Sequence, residues 1–344
     1  TKTLKLITQI LLLSVIAIVP FIKVPFLYFP YVSGKVYVFR LLVMLAFFFC
    51  VWLFLENQKS IRQLADKNQN VSPIFKNILV IAVVLFFFAQ VLVSFFGVDP
   101  LFSFFSSISR SDGVLQYGFW VLYFLLLISV FKKERDWQIF FSIFIIVSFL
   151  LSFFAWLSYL PDRELYGNFF GNPAYFAAFL LFSIGFSLLV FERKFFNSCL
   201  INNLLLVAAG FFTITLIFTQ IRGAYAGLAG GIFLFCILSV LFLGGEEDKS
   251  SSSILRYARV KQNKKLAVSC GIVLLLGLTF IILLFSARET NFVKSRPFLS
   301  RITEITKVWE AGSARERLLV WNIALKAFQE RPVFGYGPEN FAAA

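Results

Sequence analysis

Residues 204–240 read LLLVAAGFFTITLIFTQIRGAYAGLAGGIFLFCILSV, and a single charge, Arg222, divides the run into two apolar halves. Each half is long enough, at about 1.5 Å of rise per helical residue, to approach the width of a bilayer's hydrocarbon core. The whole chain agrees with that reading. Of its 344 residues, 59% are hydrophobic and 15% charged, with a mean hydropathy of +0.84. A soluble domain of this size has too little interior to hide so much apolar side chain, so the chain belongs in a membrane. Apolar stretches of this length specify helices, and the alternating ten-residue segments of a membrane barrel are absent.

The fold expected is therefore all-α, a polytopic transmembrane helical bundle of about nine spans. They fall at roughly 4–22, 36–55, 77–97, 114–131, 138–160, 174–191, 200–219, 224–243 and 266–285. Residues 1–285 form the transmembrane domain on this reading, and 286–344 a helical extramembrane segment. With the N-terminus inside, the inner connectors carry seventeen Lys and Arg and the outer ones six (Lys23, Lys35, Arg40, Arg110, Arg163 and Arg222). The positive-inside rule then places residues 286–344 outside the cytoplasm.

A net charge of +14 suggests nucleic acid at first sight, but the basic residues are spread over five inner connectors and form no face, so no nucleic-acid partner is expected. The four cysteines (Cys50, Cys199, Cys236 and Cys270) lie in spans or at their inner ends, which implies no disulfide framework. With no histidine and no cysteine cluster, neither a metal site nor another cofactor is expected. The first span lacks a small-residue cleavage site and reads as a retained helix.

The outer arginines are the informative charges. Arg222 is flanked by Gly223, Ala224, Ala226, Gly227, Ala229, Gly230 and Gly231, small residues that let a helix pack closely and leave a narrow groove. An arginine at such a junction costs a few kcal/mol unless it reaches the interface or meets an anion. Its planar fork suits a phosphate. The alternative is that Arg222 snorkels to the headgroups and only ends a helix.

Arg110, in SISRSDG, and Arg163, in LPDRELYG, each have an acid within two residues, so a local surface ion pair is the default for both. In GNFFGNPAYF, Gly167 and Gly171 permit left-handed turns and Pro173 suits a first helical turn. Asn172, just before it, is a further anion-ligand candidate, since helix N-termini attract anions.

Two amphipathic helices are expected near the C-terminus. PFLSRITEITKVWEAG repeats Phe298, Ile302 and Ile305 at helical spacing and ends at Gly312. SARERLLVWNIALKAFQERP opens on a Ser313–Glu316 capping box and carries a Leu318, Trp321, Leu325, Phe328 stripe. That stripe is expected to pack on the membrane domain or lie along its surface. Arg317 sits at its margin, either reaching into a cleft or paired with Glu316 or Glu310. Gly335, Gly337 and Pro338 then specify a tight turn.

Four of these stretches, SISRSDG, GNFFGNPAYFAAFLLF, TQIRGAYAGLAGG and ERLLVWNIALKAFQERPVFGYGPENF, taken in order, resemble the bacterial O-antigen ligase and O-antigen polymerase family. The resemblance runs from FPYVSGKVYVFR to the last residues and implies a polytopic glycosyltransferase of the bacterial inner membrane. Its donor would be an undecaprenyl-diphosphate-linked glycan, and its acceptor a glycan, lipid A core or protein. It also implies that Arg222, in the Arg-Gly motif, and Arg317, before a Leu-x-x-Trp pattern, contact the donor diphosphate. Arg110, Arg163 and Asn172 are additional substrate-binding candidates. The family's general-base histidine lies beyond the GPENF turn, so the expectation is a chain cut before it and inactive as it stands. Two alternatives remain: a flippase or transporter, which would need charged or broken helices at the bilayer midplane, and a non-catalytic scaffold.

Overall fold

The computed structural model describes residues 2–63, 77–107, 110–162, 168–196, 198–242, 290–294 and 312–343, with a few positions between 279 and 288. All regular structure among them is helical. In chain order the helices are α1 (Lys2–Ile18), α2 (Ser33–Gln63), α3 (Ile78–Phe95), α4 (Pro100–Phe105), α5 (Val114–Val130), α6 (Glu134–Asp162), α7 (Pro173–Glu192), α8 (Cys199–Phe218), α9 (Arg222–Phe242) and α10 (Gly312–Glu330).

Eight of the nine apolar segments expected to span coincide with helices, α1–α3 and α5–α9, and the ninth lies almost wholly outside the described residues. Among the described residues, six helices are long and apolar enough to cross a membrane, while α5 and the described part of α9 are shorter apolar helices. The protein is an integral membrane protein. The short helix α4 was not among the expected elements. Asp99 caps it by accepting from the Phe102 amide at 2.9 Å, and Pro100 fills a first-turn position where no amide hydrogen is needed.

The outer surface is unlike that of a soluble protein. Large apolar side chains such as Phe48, Phe54, Phe88, Phe182 and Val207 face outward, where lipid replaces water. Ser148, Ser152, Ser183, Ser187 and Thr215 are fully buried. Small hydroxyl residues let helices approach closely and bond across the interface, as Ser183 does to Ser148 at 2.8 Å and the Trp156 indole to Thr215 at 3.0 Å.

Two packing centres result. One joins α1, α2 and α5 through Leu12, Phe39, Val43, Ala46, Leu126 and Val130. The other joins α6–α9 through Leu151, Phe176, Leu180, Phe212, Leu216 and Ala224. Helix α1 packs on α6 and links them. The helices alternate in direction, so one end of the bundle gathers the turns after α1, α3, α6 and α8. Contacts between those turns confirm it: Phe21 meets Phe169, the Lys35 amine donates to the Phe169 carbonyl, and Tyr159 meets Phe218. This is the arginine end, the outer one on the charge-bias reading.

Candidate functional site

Arg222 stands at the first residue of α9, half-buried, after a corner of only three residues. The corner is built from local chain. Thr219 ends α8 and is 5% exposed, its hydroxyl donating to the Leu216 carbonyl at 2.7 Å. Gln220 takes a left-handed φ of 56°, and the Tyr225 hydroxyl reaches back to the Ile217 carbonyl. A guanidinium at a helix N-terminus opposes the helix macrodipole, which favours negative charge there. The amide hydrogens of that first turn and the guanidinium together make a cationic corner suited to an anion. The small residues of α9 divide by face. Ala224 is buried and Gly227 lies close to Leu181, where an added Cβ would come within 3.3 Å of its side chain. Gly223, Gly230 and Gly231 meet nothing within 4 Å among the described residues, where close packing holds for one stripe of α9.

Arg110 lies at the other side of the same end, after α4. It pairs with Asp112 at 3.9 Å, with side chains 63% and 40% exposed, so the local ion pair expected of it is what forms. Burial pushes the Asp112 carboxyl above its ordinary range; Arg110 and Arg40 pull it down, and Glu339 adds to the upward push.

Asn172 caps α7, its side-chain oxygen accepting from the Ala174 amide at 2.8 Å. Gly171 is left-handed, φ 67°, with the Tyr31 ring where a Cβ would sit, and Pro173 opens the helix as expected. Arg163 and Gly167 lie outside the described residues.

Arg317 is exposed on α10. That helix begins at Gly312, a residue before the expected Ser313 cap, and ends at Glu330, where Arg331–Pro332 was expected to stop it. Leu318, Trp321, Leu325 and Phe328 are 41 to 65% exposed, so the stripe is not buried against the described membrane helices. The preceding amphipathic stretch, residues 297–311, lies outside the described residues.

Two basic residues that the sequence reading counted only as outer charges are built into the bundle. Lys35 and Arg40 lie on α2, not in a connector. Arg40 donates to the Gln116 side-chain oxygen at 2.9 Å and the Ser111 carbonyl at 3.0 Å, and lies over the Phe119 ring. Lys35 lies over the Phe170 ring as well as bonding the Phe169 carbonyl. A charge embedded in an otherwise apolar helix was the available signal. Both ties knit connectors together and hold the arginine end in shape.

The structure thus gathers Arg40, Arg110 and Asp112 into one cluster, and holds Arg222 at a separate corner in the α6–α9 half. No match was found among curated proteins or among solved structures. A family model described as O-antigen ligase matches residues 205–344, a segment that contains the α8–α9 corner with Arg222, and α10 with Arg317. Over residues 205–344 the chain therefore carries the domain of the O-antigen ligase family, the family its motifs resemble.

Proposed function

We propose that the protein transfers a glycan from an undecaprenyl-diphosphate carrier to an acceptor at the extracytoplasmic face of a bacterial inner membrane, with Arg222 and Arg317 holding the diphosphate. The O-antigen ligase family implies a membrane glycosyltransferase-like activity with lipid-linked glycan and acceptor as partners. The carrier, the face and the arginine roles are the finer reading. The observation that carries it is Arg222, half-buried at the start of α9 and against the helix dipole.

The chemistry fits this placement. As the bond from the anomeric carbon to the diphosphate oxygen breaks, negative charge grows on the leaving group and the sugar becomes oxocarbenium-like. Guanidinium groups fixed in advance stabilise that charge without reorganising. A base takes the proton of the incoming hydroxyl. Arg222→Ala and Arg317→Ala in the full-length protein are each expected to abolish transfer while membrane insertion stays intact. Lysine at either position should restore little, because the planar fork is lost. Undiminished transfer by either alanine variant removes that arginine from the diphosphate site.

A further inference from the structure

The segment after α10 returns to the bundle and docks on the turn between α3 and α4. Phe334 stacks on Phe96 with ring centroids 4.4 Å apart. The Val98 amide donates to the Tyr336 carbonyl at 2.9 Å. Gly97 and Gly337 meet backbone to backbone: a Cβ on either would come within 3.0 Å of the other's Cα, and Gly337 has a φ of 89°. Asn340, 6% exposed, occupies the centre. Its side-chain amide donates to the Ser103 hydroxyl at 2.8 Å and to the Asp99 and Tyr336 carbonyls at 3.1 Å each. At the rim the Ser106 hydroxyl donates to Glu339 at 2.8 Å. Both of these residues are left-handed, with φ of 57° and 64°, strain that persists only where surrounding contacts hold it.

Helix α10 is fastened directly to this docked turn. The Arg331 amide continues the helical bonding to Ala327, and the Gly335 amide bonds the Arg331 carbonyl. The Tyr336 hydroxyl donates to Glu330, and the Arg331 guanidinium lies over the Tyr336 ring. From Arg315 to Glu330 the side chains of α10 are exposed apart from the half-buried Ala327, so the docked turn is the described contact that directs the helix.

We infer that residues 334–341 form a clamp that positions α10, and with it Arg317, over the arginine end, and that Asn340 is its positioning residue. The inference rests on the transferase reading above for its consequence, though not for its geometry. Arg317 lies thirteen residues before Glu330, a lever arm of about 20 Å. A tilt of about 10° at the clamp then moves the guanidinium by about 3 Å, while a misplacement of about 1 Å in a catalytic group can cost about a hundredfold in rate. Because Arg317 is read as holding the diphosphate, the clamp should govern both donor capture and the chemical step.

The test uses the full-length protein in nanodiscs, with Asn340→Asp, which keeps the shape but loses the donors, and Ser103→Ala, which deletes one acceptor. Two readouts are taken: kcat and donor KM, and the distance distribution between spin labels at Arg315 on α10 and Leu101 on α4. The clamp predicts that N340D broadens the distances and lowers kcat/KM for the donor at least about tenfold, with kcat itself reduced, and that S103A does the same more weakly. A purely structural Asn340 would lower the yield of folded protein but leave kcat per folded molecule intact, which overturns the inference. Distances unchanged by both variants overturn it equally. A wild-type protein that shows narrow distances but no glycan transfer would sink the transferase reading and leave the clamp standing.

Discussion

The α8–α9 corner and the connection from α3 through α4 to α5 lie at the same end of the bundle, and each carries an arginine, but they are held in different ways. At the first, hydrogen bonds between residues eight or fewer apart shape the turn, as Thr219–Leu216 and Tyr225–Ile217 do. At the second, the decisive contacts come from the far end of the chain, as between Ser103 and Asn340 or Ser106 and Glu339. The first arginine faces its helix against the dipole and half-buried; the second, Arg110, has an acid beside it and projects outward. A half-buried arginine at the start of a helix suits a ligand, and an exposed one beside an acid suits the surface.

The largest effect that would break this contrast is on transfer. Arg222→Ala should lower it by about a hundredfold or more, the cost of removing one fixed donor to a leaving-group charge, whereas Arg110→Ala should leave it within about twofold. Comparable losses from both variants in a lipid-linked glycan transfer assay would erase the distinction.

Next in size is Arg40→Leu. It strips the partner from the Gln116 side-chain oxygen, on a residue 2% exposed, and should cost about 1–3 kcal/mol in a denaturation assay. Tyr225→Phe removes one bond from the α8–α9 corner and should cost about 1 kcal/mol, with a measurable fall in transfer because Arg222 follows the corner.

The smallest effect concerns pH. The folded protein holds the Asp112 carboxyl above its ordinary pKa, so it binds that proton more tightly than the unfolded chain does. Stability from this group is present at low pH and is lost as pH rises from the ordinary carboxylate range through the raised value. Asp112→Asn should therefore stabilise the protein at neutral pH and make no difference once both forms are protonated. Thermal unfolding of the two proteins at pH 7 and pH 3 checks this.

The same contrast explains what could be read from residues alone. Apolar run lengths predict the spans, because a helix in lipid must satisfy its backbone internally and the code is local. Pro173 after Asn172, Gly171, Gly335 and Gly337 are read correctly for the same reason: each acts through its own φ or its own cap. Helix α4 carries a short Asp99–Pro100 signal that is lost beside the long spans. Arg40 and Asn340 act through partners 76 and 241 positions away, and no pattern in one sequence couples them. Arg222 and Arg317 were singled out by local cost and by the family motif, and the matched segment includes both.

The most direct test of the account is the affinity of the full-length protein for undecaprenyl diphosphate, without glycan or acceptor, measured in nanodiscs for wild type, R222K and R222Q. A fixed guanidinium gripping the diphosphate predicts binding at least about tenfold weaker for R222Q, with R222K much nearer to R222Q than to wild type. Equal affinity in all three would contradict it.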